Sequence, residues 1–332
     1  MKTLRVLFLI SLLSPTVTFG ESGRTALNVL NRSFGGRTAA VGQAQVADQG
    51  EIDALGINPA GLSQLNFKTL DMTYNRGVAE DNFGFVAFGV PTRFGAISAL
   101  MSHLDAGTIN LNLSDGTQGT RRAQQDTVAG IGLALGRSWP VSLGVNAKVF
   151  KSELAETVSA SGFATDLGAQ WQTPWKFLSF GYAFQNVGAD IKYDQAKDKL
   201  PTTQRVGTRL LLDLHESHKL PEVFQNRYLI LADALKPRFE DGSINMGIEI
   251  KRTFLDSPYL SGASLRGGYV GSLKSAAVGV GFGFGPLTLD YGITFVGSLD
   301  NNHRVSLLYR FGGAFTQTNE PLPEKPALFR GL

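Results

Sequence analysis

A period-two alternation of apolar and polar residues, repeated in segments of about ten residues, constrains this chain more than any other feature. Near the C-terminus, Leu287, Leu289 and Tyr291 share one face of a strand, while Thr288 and Asp290 share the other. Comparable segments lie at about 66–76, 83–91, 93–103, 127–137, 140–152, 162–172, 176–186, 204–214, 226–236, 242–252, 259–269, 274–284, 286–295 and 303–311. A tilted strand of about ten residues crosses a bilayer, so these roughly fourteen segments predict an all-β fold, a transmembrane antiparallel β-barrel.

The connections between the segments distinguish this barrel from a soluble β-sandwich. The tight links contain proline and lie at 91, 138–140, 173–175 and 285–286. The long polar links lie at 104–126 and 187–203. Through the first half we expect short and long links to alternate strictly, as periplasmic turns and extracellular loops do in outer-membrane barrels. The rule weakens at 215–225 and 253–258, where the predicted periplasmic links are not tight.

Glycine is unusually abundant, with 39 of 332 residues, against an ordinary share of about 7%. The glycines lie inside the alternating segments, where they weaken a soluble strand. In a closed barrel, an inward glycine instead makes room in the lumen. The glycine content is therefore consistent with a closed barrel, and a soluble β-sandwich with many turns is the alternative.

The N-terminus predicts export. Lys2 and Arg5 precede an apolar run at 6–13 that is too short to span a bilayer, and small residues follow up to Gly20. We interpret 1–20 as a secretory signal peptide that is cleaved near its end. An N-terminal core helix is the alternative.

Composition excludes several classes of function. The chain has 0 Cys, which excludes disulfides, thiolate metal sites and a lipid-anchoring cysteine. Without Lys2 and Arg5, 29 basic residues face 28 acidic ones, so we expect no nucleic-acid partner.

Residues 21–65 differ from the rest because they are rich in Ala and Gly and show no alternation. Asp48 and Asp53 are candidate helix caps, and Asn58-Pro59 is a cap followed by proline at the first helical position. About 45 residues form too small a core to fold alone. We therefore predict a plug that rests inside the barrel.

The ends of the barrel complete the predicted organisation. The barrel is assigned to 66–311, and the polar, Pro-rich residues 312–332 are predicted to be a disordered periplasmic tail. Aromatic residues near strand ends suit interfacial girdles. These residues are Trp139, Trp175, Tyr228, Tyr259 and Tyr309.

The plug region carries a resemblance to a known family. Its motif residues are Gly36-Arg37, Gly42, Ala44, Ala47, Ala54 and Asn58-Pro59-Ala60-Gly61-Leu62. This pattern resembles the N-terminal signature of PorV/PorQ-type outer-membrane proteins, which are related to the long-chain fatty-acid transporter (FadL) family. The resemblance implies a fourteen-stranded barrel in which Gly36, Arg37, Asn58, Pro59, Ala60 and Gly61 belong to a plug or hatch.

The resemblance implies two different functions. FadL-type barrels pass hydrophobic molecules through a lumen that the N-terminal segment closes as a hatch. PorV-type barrels instead dock secreted proteins in a type IX-like secretion system, without solute transport of their own. The chain is short for the first group and continues beyond Phe311, whereas many such barrels end at an aromatic residue.

Polar residues of the alternating segments are candidates for the lining of the lumen. If the apolar faces meet lipid, the inward residues include Asp71, Asn146, Lys148, Glu249, Lys251, Asp290 and Arg310. They form either a salt-bridged filler that holds the plug or a selective conduit. Gly279, Gly281, Gly283 and Gly285 are spaced by two within a strand, so we interpret them as an inward face rather than a phosphate-binding loop. A lateral opening at this strand is a further hypothesis.

No catalytic or metal-binding residue is predicted. The chain has 4 His and no Gly-x-Ser-x-Gly element. His215 and His218 lie in a connection without further ligand spacing, so we interpret them as solvated. We expect no enzyme activity and no cofactor in this outer-membrane barrel. The expected partners are outer-membrane lipid and either hydrophobic small molecules or a secreted or periplasmic protein.

Overall fold

The computed structural model describes residues 27–77, 81–112, 116–193, 197–214, 224–254, 257–297 and 301–312. The predicted signal peptide, the tail beyond 312 and both His215 and His218 lie outside the described residues. Among the residues described, no helix is long and apolar enough to cross a membrane.

Fourteen antiparallel strands form a closed barrel, which confirms the predicted fold class. The strands of the chain are β1 (Lys68–Arg76), β2 (Asn82–Pro91), β3 (Gly95–Asp105), β4 (Thr108–Asn112), β5 (Gln118–Arg122), β6 (Gln124–Leu135), β7 (Val141–Leu154), β8 (Val158–Gln172), β9 (Leu178–Gly188), β10 (Ile191–Lys192), β11 (Lys197–Asp198), β12 (Thr203–Leu214), β13 (Phe224–Pro237), β14 (Ser243–Phe254), β15 (Gly262–Val270), β16 (Ser275–Phe284), β17 (Leu287–Thr294) and β18 (Asn302–Phe311). The hairpins β4–β5 and β10–β11 stand apart from the barrel, and β1 pairs with β18 to close it.

The exterior of the barrel is apolar, as the alternation predicts. Along β16, Val278, Val280, Phe282 and Phe284 are exposed, while the residues between them face inward. Such a surface is unfavourable in water and favourable in lipid. The fold and this exterior therefore point to a bacterial outer membrane. Of the predicted girdle residues, Tyr228 is half-buried and the others are exposed.

The two ends of the barrel differ. Tight connections at 92–94, 136–140, 173–177 and 285–286 lie at the end that we call the turn end. Both small hairpins lie at the opposite end, the loop end.

The expected strict alternation of short and long links is wrong at the loop end, where the link 77–81 is no longer than the turn-end link 136–140 and the next short link is shorter still. The link between β7 and β8 spans only 155–157, because these strands extend to 14 and 15 residues. Ala155 and Glu156 complete this tight turn with φ of 49° and 56°.

Residues Leu27–Leu65, which we call the luminal segment, lie inside the barrel. Their helices are η1 (Asn28–Asn31), α1 (Gly36–Ala40), η2 (Ile52–Gly56) and η3 (Pro59–Gln64), of which only α1 is an α-helix. The segment begins in the half of the lumen near the loop end and leaves it at the turn end, where Leu65 precedes β1. Most of its side chains are buried.

Inward glycines of the wall provide the space that the luminal segment occupies. A Cβ at Gly292 would collide with the carbonyl oxygen of Gly36, and one at Gly144 with the backbone of Pro59 and Ala60. A Cβ at Gly181, Gly247 or Gly268 would likewise meet the segment backbone, and one at Gly168, Gly207 or Gly279 would meet a side chain of the segment. The high glycine content thus serves a close approach between wall and segment backbones.

Candidate functional site in the barrel lumen

An apolar track runs along the inner wall formed by β2, β3 and β6 to β8. Its buried wall residues are Phe83, Phe85, Ala87, Ala96, Leu100, Leu104, Val128, Ala134, Phe150, Ala160 and Ala164. The luminal segment fills this track with Leu27, Val29, Leu30, Phe34, Ile52, Leu55, Leu62 and Leu65. The track extends from the loop end, where Ile191 and Leu200 join it, to the turn end.

Phe34 is the aromatic anchor of the segment in this track. Its ring stacks on Phe85 with centroids 3.9 Å apart and lies 6.0 Å from the ring of Phe83. The side chain follows η1 and is only 7% exposed. Because aromatic side chains bury the largest apolar areas, Phe34 contributes strongly to holding the segment in place.

A chain of buried charges crosses the lumen on the opposite side. Arg37 on α1 donates from Nε and Nη2 to Oε2 of Glu249, at 3.0 and 2.8 Å. The other carboxylate oxygen of Glu249 accepts from Arg266 at 2.9 Å, and Arg266 also donates to Asp290 at 2.6 Å. Each of these charges is paired, as charges inside a membrane protein must be.

The segment supplies the counter-charges at the other end of this chain. Nη1 of Arg37 lies 2.7 Å from Asp48, which in turn lies 3.2 Å from Nε of Arg209 on β12. Asp53 lies 3.8 Å from Nη1 of Arg37 and accepts a hydrogen bond from Thr38 at 2.9 Å. The expectation that Asp48 and Asp53 cap helices is therefore wrong, since both carboxylates are ion-pair partners of Arg37.

Burial sets the protonation behaviour of this cluster. Burial raises the pKa of Asp53 to about 6, although Arg37 opposes the shift. Burial alone disfavours the charged form of Arg37, but Asp48, Glu249 and Asp53 outweigh it and raise the pKa of Arg37 well above its ordinary value. Arg37 therefore remains a cation while Asp53 can gain a proton near neutral pH.

Asn58 joins the segment to itself and to the wall. Its Oδ1 accepts from the N–H of Ala60 at 3.0 Å, which confirms the predicted cap, and Pro59 opens η3. Its Nδ2 donates to the carbonyl of Val46 at 2.6 Å and approaches the carbonyls of Ala169 and Tyr182, both at 3.3 Å. The amide of Asn58 is fully buried, so these contacts fix the position of η3.

The residues predicted to line the lumen all lie on inward positions. Asp71 accepts from Thr73, and Asn146 and Lys148 both contact Asp166, at 3.1 and 2.7 Å. Glu249 and Asp290 belong to the chain of buried charges described above. The half-buried Lys251 lines a polar cavity, and the half-buried Arg310 pairs with Glu51 at 3.3 Å.

Two small cavities lie beside the luminal segment. One of about 10 Å³ adjoins Leu30, Phe34 and Lys148, and has room for about one water. The other, of about 50 Å³, lies among charged residues that include Arg209, Glu249 and Lys251. Neither cavity is large enough for a small hydrocarbon, so the lumen is closed at these two places.

No protein-family model matches this chain, and no curated protein matches it. Solved structures do match. The toluene transporter TodX of Pseudomonas putida is 12% identical, with a TM-score of 0.54, over 85% of this chain and 100% of that one. The toluene transporter TbuX of Ralstonia pickettii is 14% identical, with a TM-score of 0.52, over 85% of this chain and 99% of that one.

This barrel has the fold of those toluene transporters. At this level of identity the similarity is one of architecture.

Sequence reasoning missed the apolar track and several of the basic partners of the buried carboxylates, among them Arg209 and Arg266. The segment at β2 is apolar on both faces, because Phe83 and Phe85 point inward while Val86 and Phe88 point outward. This local loss of alternation is the signal that the lumen is apolar there. Arg209 and Arg266 occupy inward positions of their strands and could have been found by the alternation that identified Glu249.

The glycines of β16 do not interrupt the wall. This strand pairs with β15 from Ser275 to Gly283 and with β17 from Ala277 to Phe284, so the hypothesis of a lateral opening there finds no support. Among the residues described, no cluster of His, Cys, Asp and Glu suited to a metal ion occurs. His103 and His303 lie on the exterior and contact Thr127 and Tyr291.

Proposed function

We propose that this chain is an outer-membrane channel that passes hydrophobic small molecules, with residues 21–65 acting as a plug whose hatch comprises Asn58 to Gly61. The observation that carries this function is the apolar track, which continues along the barrel and is filled by the segment's own apolar side chains. The fold shared with toluene transporters supports it, as does the resemblance of the plug to the FadL family.

The physical basis of selection is the cost of desolvation. A neutral hydrocarbon can replace Leu30 and Phe34 against the wall at little cost, because one apolar surface replaces another. A charged or strongly polar solute would have to leave water for an apolar wall without hydrogen-bond partners, which costs several kcal/mol. The track therefore favours apolar cargo.

Passage along the apolar track requires that the plug move, since its own side chains fill that track. The hatch contacts β8 and β9 through Asn58. The same helix η3 contacts β7 through Ser63, whose Oγ donates to Oγ of Ser142 at 2.8 Å. These polar contacts can be broken when water replaces them. The charged contacts of Arg37 are stronger, so we place the movement at η3 rather than at α1.

Cross-linking tests the channel and the hatch together. The chain has 0 native Cys, so the double variant Ser63→Cys/Ser142→Cys introduces one defined pair. We would measure uptake of labelled toluene and of a labelled fatty acid in Gram-negative cells that lack such a channel, where the outer membrane limits unassisted entry. We expect uptake with the wild type and the reduced variant, and a loss of uptake on oxidation.

Each failure has a distinct meaning. If the wild type gives no uptake above the empty host, the channel function is wrong. If the oxidised double variant transports as well as the single cysteine variants, the channel stands but the hatch at η3 is wrong.

A docking barrel of the PorV/PorQ type is the second candidate function. The filled lumen favours it, because a docking protein needs no path through the barrel. It predicts no uptake in the cell assay, together with specific co-purification of a secreted or periplasmic protein that is lost when its docking surface is altered.

A further inference from the structure

The turn end of the barrel carries aromatic and basic side chains along half of its rim, and all of them are exposed except the half-buried Arg137. They occur at four connections: before β1, between β2 and β3, between β6 and β7, and between β8 and β9. At each of these, an aromatic residue lies within two positions of a basic one. We call this set the basic-aromatic arc: Phe67, Lys68, Arg93, Phe94, Arg137, Trp139, Trp175 and Lys176.

The arc is continuous, because the seven strands from β1 to β9 that form it are neighbours in the barrel. Phe94, Trp139 and Trp175 are 56%, 58% and 64% exposed. The guanidinium of Arg93 lies 4.4 Å from the ring centre of Phe94, which keeps the cation at the level of the aromatic belt.

The charge of the arc has one sign. The described connections 66–68, 92–94, 136–140 and 173–177 contain no Asp or Glu. At the loop end the two signs are mixed, since Lys151 lies 3.7 Å from Glu153 and Arg122 lies 4.0 Å from Glu156. A rim that carries only positive charges attracts an anionic partner, whereas positive and negative charges at a mixed rim largely neutralise each other.

We propose that the basic-aromatic arc binds the headgroups of anionic phospholipids in the membrane leaflet at the turn end, which is the periplasmic leaflet in barrels of this kind. The lipid-facing residues Val141, Trp171 and Phe180 lie directly above the arc and are 43%, 46% and 41% exposed. Acyl chains that cover this apolar surface place their phosphates at the level of Lys68, Arg93 and Lys176. An acidic periplasmic protein would not need that continuity, so lipid is the better fit.

Charge removal at one end of the barrel, compared with the other, tests the proposal. The test variant is Lys68→Gln/Arg93→Gln/Lys176→Gln. The control Lys192→Gln/Lys197→Gln/Lys274→Gln removes the same charge from exposed positions at the loop end. Arg137 is left unchanged because it also donates to the carbonyl of Leu65 and to Asn66.

The readout is lipid bound to the purified full-length protein, measured by native mass spectrometry in mixed phosphatidylglycerol and phosphatidylcholine. We expect about a tenfold preference for phosphatidylglycerol in the wild type and the control, and almost none in the test variant. Should the test variant fail to fold, the single variant Lys176→Gln is expected to lower the preference about two- to threefold.

Two outcomes would overturn the proposal. A wild type without preference for the anionic lipid would reject it, including the case in which the arc instead binds an acidic protein. An equal loss of preference in the control would show that net charge, and not the arc, selects the lipid. The proposal goes beyond transport and stands or fails independently of it.

Discussion

Arg37 and Glu249 form a charged pair in which two guanidinium nitrogens share one carboxylate oxygen, at 3.0 and 2.8 Å. Arg37 belongs to the luminal segment and Glu249 to strand β14, so the pair joins the two parts of the molecule. Glu249 also accepts a hydrogen bond from Arg266, which makes it the central acceptor of the buried chain of charges.

Removal of Glu249 should therefore be costly. We expect Glu249→Gln to lower the free energy of unfolding by about 3 kcal/mol, because two buried arginines lose their shared counter-charge. Urea unfolding of the protein in detergent or vesicles measures this. The control Lys151→Gln removes an exposed pair and should change stability by less than about 1 kcal/mol. Equal effects of the two variants would contradict a structural role of the buried chain.

A side chain at the inward wall glycine Gly144 should displace the hatch. We expect Gly144→Val to cost about 1–3 kcal/mol and to expose residues 52–65 to protease, because a side chain there collides with Pro59 and Ala60. Gly84→Val is the matched control, since a Cβ at Gly84 has no neighbour within 4 Å. If residues 52–65 resist protease in both variants, the position of the segment does not depend on the absence of a side chain at Gly144.

Truncation of the aromatic anchor should loosen the apolar track. Phe34→Ala removes the ring that stacks on Phe85, so we expect a loss of about 3–5 kcal/mol. We also expect faster toluene uptake in the cell assay, because cargo no longer has to displace the ring. Phe163→Ala truncates a phenylalanine that is 52% exposed on the lipid face, and should leave uptake unchanged. Unchanged uptake in Phe34→Ala would argue against the track as the path.

The protonation of Asp53 should make stability depend on pH. Its pKa of about 6 lies above that of an ordinary Asp, so the charged form is disfavoured in the folded state. The stabilising contribution of the protonated group is complete below about pH 4 and is lost as the pH rises through about 6. The groups that face this carboxylate are Arg37, Thr38, Gln45, Asp48, Glu51 and Asp71.

Asp53→Asn isolates this effect, because an amide resembles the protonated acid. We expect the variant to melt at a higher temperature than the wild type at pH 7.5, and we expect the difference to shrink as the pH falls through 6 and to disappear below about pH 4. A wild type that is the more stable protein at pH 7.5 would mean that attraction to Arg37 outweighs burial.

The barrel wall could be predicted because its signal is local. Lipid outside and the segment inside impose opposite polarity on successive residues of β14, β17 and β18, so the periodicity is visible in the sequence alone. The ends of the strands were harder to predict, since β7 and β8 are longer than a strand that only crosses the membrane.

The lumen was only partly predictable, because its contacts join distant parts of the chain. The sequence around Asp48 does not indicate that Arg209 is its partner. A carboxylate can cap a helix or pair with an arginine, so the residue type alone did not distinguish the expected caps at Asp48 and Asp53 from the observed ion pairs. Asn58-Pro59 was predictable because its cap closes within two residues. The apolar track was not predicted because β2 is apolar on both its inward and its outward face, so the sequence shows no alternation there.

The position of the luminal segment has a consequence for the order in which the molecule assembles. The segment bridges the seam of the barrel, since α1 contacts β16 to β18 while η2 contacts β1 and β2. Strand β1 follows the segment directly and pairs with β18, the last strand among the described residues. Pairing of β1 with β18 and docking of the segment therefore stabilise each other, so closure of the barrel and the filling of its interior are expected to occur as one late, cooperative step.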